Sequence, residues 1–325
     1  MRRIVLVLAT AVAAFAGPSL VLASPFNGKD VASDPATILH FDCDVIRTSA
    51  IGQSVLSQPE VQDKLASVGA LFDFDFLKQL HGITFYTTVA HSKDGVFLVY
   101  ADFDIDRLLA KAQTLNDFHG ATNGSHVIYS WLSEKWKRRE GGTARAYGAI
   151  SGHRVILSQS ESRLADALDV MEGKARGFEG KNDLAPASSG EAILLQAALL
   201  KIDVDNAQGP AAIFTMSKST RLKVSEANNN TTAAIRFETA DNDAAAQVNV
   251  IAQGLLGMLK MASDNTNAMK LANSIAIAKD GLAVGVTLSI PSSKMIEMMK
   301  AGQEEGKQRR ANRRARDKDS QPNNK

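Results

Sequence analysis

The sequence predicts an α+β protein, mainly antiparallel sheet with helices packed on one face. Three observations carry this. Short segments of alternating apolar and polar residues are joined by turn dipeptides such as Asp94-Gly95 and Asp280-Gly281. Both residues of such a dipeptide tolerate positive φ, which a tight hairpin requires. Each hairpin is followed by a segment of helical periodicity, and this hairpin-then-helix unit occurs four times.

Along the chain, Met1-Arg2-Arg3 is a short basic start, and an apolar run from Ile4 is interrupted by Gly17-Pro18 and resumes to Leu22. Val21 and Ala23 provide small residues before a cleavage site, so residues 1–23 read as a secretory signal peptide. The alternative is an uncleaved anchor, because the apolar run approaches the ~20 residues needed to cross a bilayer. Nothing after residue 23 approaches that length. Residues 24–36 are rich in Ser, Asp, Asn and Gly and read as a linker.

The first half is expected over 37–175. A strand is predicted at about 37–44. Pro59 opens a helix bearing Val61, Leu65, Val68 and Leu71 on one face, and Asp73 or Asp75 caps a short helix behind it. Strands at 83–90 and 96–102 flank Asp94-Gly95, and Asp104 caps a helix with Leu108, Leu109 and Ala112. Strands at 144–150 and 155–159 flank Ser151-Gly152. Ser160 then caps a helix that Gly173 closes.

Residues 176–190 form a second linker by composition, and the second half is expected over 191–301. Strands at 221–224 and 233–237 flank Asn228–Asn230, and a long helix follows through 241–262. Strands at 275–278 and 282–290 turn at Asp280-Gly281. After Pro291 comes a helix with Met295, Ile296 and Met299. Leu39-His40-Phe41-Asp42-Cys43-Asp44 can be laid over Leu200-Lys201-Ile202-Asp203-Val204-Asp205, which suggests tandem duplication. In this order of elements the chain resembles a group of uncharacterised exported bacterial proteins built from tandem α+β halves. That group has no established activity, so the resemblance brings no catalytic residue with it.

Charge is unevenly placed. Residues 302–325 hold eight basic groups against four acidic ones, on an otherwise mildly acidic chain. This tail, with Arg309, Arg310, Arg313, Arg314 and Arg316, is low in apolar residues and is expected to be disordered. Its expected partner is an anionic envelope surface or a protein; export disfavours nucleic acid. Cys43 is the single cysteine, so no intramolecular disulfide forms, and two flanking carboxylates disfavour its thiolate.

Motifs of chemistry are scarce. Aspartates recur at spacing two, at Asp42/Asp44, Asp73/Asp75, Asp102/Asp104/Asp106 and Asp203/Asp205. Such a pair on a strand shares a face and can bind a cation or divide acid and base roles; a strand end followed by a helix cap explains the pattern equally simply. His40, His81, His91, His119, His126 and His153 show no zinc-type spacing. Gly148-Ala149-Ile150-Ser151-Gly152 lacks the strand-to-helix elbow of a nucleophile motif, and no phosphate-binding glycine loop is present. Trp131 and Trp136 lie beside Lys135, Lys137, Arg138 and Arg139, as a binding edge or as a strand end and a solvated loop. The Asn229 and Asn230 N-x-T phrases matter only in a glycosylating pathway.

The sequence therefore assigns no catalytic, cofactor-binding or metal residue and no cofactor. The expected function is an exported, periplasmic or extracellular, non-catalytic binding or structural component of the cell envelope. The alternative is a secreted hydrolase whose carboxylate and histidine site is assembled only by the fold. A polar constellation in one concave pocket marks the enzyme; an apolar or aromatic surface marks the binding protein.

Overall fold

The structure, a computed structural model, describes residues 25–72, 74–90, 95–137, 143–179, 190–202, 211–261 and 266–319. The expected signal peptide lies outside these residues, as do Asp73, His91, Asp94, Arg138, Arg139, Asp203 and Asp205.

The first half contains β1 (Thr37–Asp42), α1 (Cys43–Thr48), α2 (Ala50–Leu56), α3 (Pro59–Phe72), α4 (Phe76–Gln79), β2 (Leu80–Thr87), β3 (Val96–Ala101), α5 (Ile105–Ala112), β4 (His119–Asn123), β5 (His126–Lys137), β6 (Thr143–Ser151), β7 (Arg154–Ser158) and α6 (Glu161–Met171). The second contains β8 (Ala192–Leu199), α7 (Ala212–Thr215), β9 (Ser217–Ala227), β10 (Asn230–Thr239), α8 (Asn242–Met261), α9 (Thr266–Asn273), β11 (Ile275–Asp280), β12 (Ala283–Pro291) and α10 (Ser292–Asp319).

Helices and a large antiparallel sheet make this an α+β fold. All twelve strands join one sheet, in the order β11-β12-β10-β9-β8-β1-β2-β3-β7-β6-β5-β4. Every named pairing is antiparallel. Outward from the central β1–β8 pair, five strands on each side follow corresponding orders: β1-β2-β3-β7-β6 and β8-β9-β10-β12-β11.

The turns follow from residues that accept a left-handed backbone. Asn228 and Asn229 have φ of 50° and 62°, Gly152 has 58° and Gly281 has 56°, each at a tight hairpin tip. Sequence reading missed the β4–β5 hairpin, which turns at Gly124 with φ 60°. Helix starts follow from caps: Asp104 Oδ1 accepts from Arg107 N, Ser160 Oγ from Arg163 N, and Asp75 Oδ1 from Leu77 N. The first strand ends at Asp42, short of the expected 44, because Asp42 Oδ1 accepts from Val45 N and starts α1. Cys43 therefore opens a helix. Burial, followed by the charges of Asp42 and Asp44, pushes its thiol up to about 12 despite Arg47.

The segment read as the first linker is packed. Val31 is fully buried, and Phe178 N donates to the carbonyls of Gly28 and Val31. A side chain at Gly28 would place its Cβ 2.5 Å from the Phe178 carbonyl oxygen, so the close approach requires glycine. The C-terminal helix is assigned to Asp319, and residues 320–325 lie outside the described residues. No helix among the described residues is long and apolar enough to cross a membrane.

Side chains alternate between two sheet faces, and paired residues share a face. One face carries Ile38, Tyr86, Leu98 and Ile156, which pack with Leu164 and Leu168 of α6; all are at most 2% exposed. Below this core, Asp30 is 4% exposed and accepts from Arg154 Nη1 at 2.5 Å and from the Tyr100 hydroxyl at 3.1 Å. The opposite face carries Phe237 and Val284 under α8, and the ladder registers lead across to Val99, Val155 and Leu157.

Removing one partner of a buried ion pair strands the other. Arg154→Ala, which leaves the buried Asp30 carboxylate without its cation, is expected to lower stability by about 3 kcal/mol in urea unfolding. Asp34→Ala, which removes the exposed pair with Lys201, should change it by less than about 1 kcal/mol.

Candidate functional site

The second sheet face forms the floor of a cavity of about 1090 Å³ in the first half. Val99, Val155, Leu157, Ile150, Tyr129 and Trp131 come up from strands β3, β7, β6 and β5. Leu108, Leu109 and Ala112 descend from α5, whose apolar residues recur at helical spacing toward the sheet. Phe74, just before α4, Phe76, its first residue, and Phe103, before α5, close one end; Leu115 and Phe118 close another. The rings interlock: Phe74 stacks on Phe103 at 5.3 Å and meets Phe76 edge-on at 4.8 Å, and Phe118 stacks on Tyr129 at 5.5 Å.

Polar groups are the minority in this wall. Asp104 and Arg107 pair with each other at 3.2 Å, and Gln79 Nε2 donates to the Asp102 carbonyl at 2.9 Å. The wall can exclude water from an apolar molecule and offers stacking surfaces to it. It presents no paired acid and base facing a common point.

One polar convergence among the described residues of this half lies beside the cavity wall. His81, with a side chain 10% exposed, stands between two carboxylates. Its Nδ1 is 3.1 Å from both oxygens of Asp44, and its Nε2 is 3.1 Å from Asp102 Oδ2. Arg47 donates to Asp44 and to the Leu80 carbonyl. Burial alone would lower the His81 pKa; hydrogen bonds that the ring donates to Asp44 and Asp102 outweigh it and raise the value above 6.5. The backbone links this cluster to the wall, because Asp102 N donates to the Gln79 carbonyl at 3.0 Å and Phe103 follows directly. His81 thus ties α1, the end of α4 and the approach to α5 together.

The aspartates of spacing two separate in space. Asp42 caps α1, and burial raises its carboxyl pKa; Asp44 turns to His81. Asp75 caps α4 and pairs with Lys78, Asp104 caps α5, and Asp106 is exposed in its first turn. Among the histidines, buried His40 meets Thr84 Oγ1 at 2.9 Å, His119 pairs with Asp117 and His126 with Glu172, each at 2.7 Å, and His153 is exposed at a hairpin tip. No group of three His, Cys, Asp or Glu side chains among the described residues is arranged to hold a metal ion. Trp131 is in the cavity wall, and Trp136 continues the same strand. Asn229 and Asn230 lie at a turn, while Thr231 is buried against Ser292 Oγ at 2.8 Å.

No protein-family model matches this chain, and no curated protein matches it. Two solved structures, crystal forms III and I of TP0453, align with TM-scores of 0.47 and 0.44 at 9% identity. Each alignment covers 86% of this chain and 99% and 98% of those chains.

The His81 cluster has a signed pH dependence. Because the folded pKa is raised, its contribution is full below the ordinary histidine value of 6.5 and is lost as pH rises through the folded value. Between those limits the thermal midpoint is expected to fall with pH, and His81→Gln should flatten that slope.

Proposed function

We propose that this chain is an exported, non-catalytic binding protein of the cell envelope that holds an apolar ligand in the cavity beneath α5. The observation that carries this reading is the wall itself. A volume of about 1090 Å³ is bounded by aliphatic side chains and by Phe74, Phe103, Phe118, Tyr129 and Trp131. Ligand pockets of this size are mostly apolar, with a few polar groups that set orientation. Asp104, Arg107 and Gln79 fit the orienting role. The hydrolase alternative would need Asp44, His81 and Asp102 to face a substrate, whereas these groups face one another.

The scaffold reading extends to the tandem origin. The two outward strand orders support a duplication in which α5 corresponds to α8, and α6 to α10, with β4–β5 and α1–α4 as additions to the first half. The match of Leu39 with Leu200 sets a mid-strand residue over one beyond the end of β8, so the strand order carries the duplication better than that phrase. Export would bring the binding protein to the envelope, where the basic C-terminal sequence from 302 is the segment proposed to meet an anionic surface.

Ligand binding is tested on purified protein with an environment-sensitive apolar dye. Saturable binding is expected, and Ala112→Trp, which fills the cavity from α5, should weaken it at least about tenfold, or ~1.4 kcal/mol. Dye binding unchanged by Ala112→Trp, in a protein that still folds, would remove the cavity as the site.

Truncation after Gly302 tests the envelope contact. Its pair Lys307–Glu60, at 3.5 Å, is exposed and is worth little. The melting temperature should stay within a few degrees, while salt-sensitive binding to anionic vesicles should fall.

A further inference from the structure

The sheet face that floors the cavity does not end with it. The floor residues Val99 and Leu157 lie on a sheet face that continues, pair by pair, across the middle of the sheet. Val99 pairs with Ile83, Ile83 with Phe41 and Phe41 with Leu195. One step along, Leu157 pairs with Phe97, Phe97 with Phe85, Phe85 with Leu39 and Leu39 with Ala197. Two parallel apolar rows thus leave the cavity and run toward the second half.

These rows are underpacked in a way that the reverse face is not. Ile38, Tyr86, Leu98 and Ala198, immediate neighbours in the same strands, are at most 2% exposed. None of Leu39, Phe41, Ile83, Phe85, Leu195 or Ala197 is fully buried, and Phe97 is 37% exposed. Phe85 and Phe97 lie with ring centroids 4.6 Å apart and a tilt of 41°, an aromatic surface on the strip itself. Contiguous apolar surface of this kind marks an interaction site.

We propose that the ligand is an elongated lipid acyl chain, anchored in the cavity and continuing along this strip between Val99 and Leu195. The proposal rests on the cavity being a ligand site and deepens it by naming the ligand's shape and class. Continuity of register decides the occupant: the strip shares the sheet face of the cavity floor, so one elongated molecule can cover both. From β7 to β8 the strip crosses four strand spacings of ~4.8 Å, or about 19 Å, the reach of a long chain and not of a compact ring system. Each further methylene buried adds ~0.8 kcal/mol, so affinity should rise about tenfold for every two carbons while the chain still finds apolar surface.

The test is competition by saturated fatty acids, from octanoate to stearate, against the cavity-bound dye. Wild-type protein should show rising affinity through the long members. Phe97→Gln, at an exposed position, and Ala197→Gln, farther along the strip, should leave octanoate unchanged and cut stearate affinity at least tenfold. Phe97→Leu should retain the long-chain gain. A chain-length series identical in wild type and both glutamine variants would overturn the strip while leaving the cavity as a site. Failure of every fatty acid to displace the dye would overturn the lipid assignment itself. Concentration-dependent dimerisation abolished by Phe97→Gln would assign the strip to a second copy of the chain and also overturn the proposal.

Discussion

The pairing of β1 with β8 is the constraint on which the rest depends. Thr37 meets Leu199 and Phe41 meets Leu195, and the Ala36 carbonyl accepts from Leu200 N just beyond the ladder. Without this seam the chain would form two smaller sheets with four edges, each a template for unwanted pairing. With it, one register runs from β11 to β4. Because strand side chains alternate with period two, a slip of one residue at the seam would exchange the faces of an entire half. The seam therefore sets Ile38 and Ala198 into the packed core and Leu39 and Ala197 onto the open face.

Sequence reading succeeded where chemistry is local. Hairpins at Ser151-Gly152, Asn228–Asn230 and Asp280-Gly281 were legible because left-handed backbone restricts the choice of residue. Caps at Asp104 and Ser160 were legible because a short oxygen-bearing side chain satisfies a free amide. Asn123-Gly124 carries the same hairpin signal, but His119–Asn123 shows no apolar alternation to frame it, in keeping with a strand whose every residue is exposed. The first linker was misleading for a related reason. Composition records the flexibility of Gly28 and its neighbours but not that Val31 and Phe178 bury them against the sheet.

The site was largely illegible because none of it is contiguous. Phe74, Phe103, Leu108, Phe118 and Trp131 come from separate turns, strands and helices, and only the closed sheet brings them to one wall. Asp44, His81 and Asp102 show no motif because they sit on α1, β2 and the end of β3. Trp131 was singled out for its cationic neighbours, yet its place in the wall follows from alternation along β5, which sets it on the same face as Tyr129.

The two sheet faces explain how a fold carries an apolar cavity. On one face, α6 covers Leu98 and Ile156 without exposure, and burial of that kind contributes about 25 cal/mol per Å² of apolar surface. On the other, α5 stands away from Val99 and Leu157, and their lost contacts are a cost to stability. The packed face offsets that cost, since the strands are shared and cannot move on one side alone. Rigidity on the α6 side then holds the cavity floor in place, so any change in cavity size must come from the opposite wall. That wall is tied down at its ends by polar groups: Asp104 at the start of α5, and Asp102 through His81 to Asp44. The apolar site is thus bounded by a floor fixed through hydrophobic packing and a roof fixed through charge, two attachments that respond differently to pH and salt.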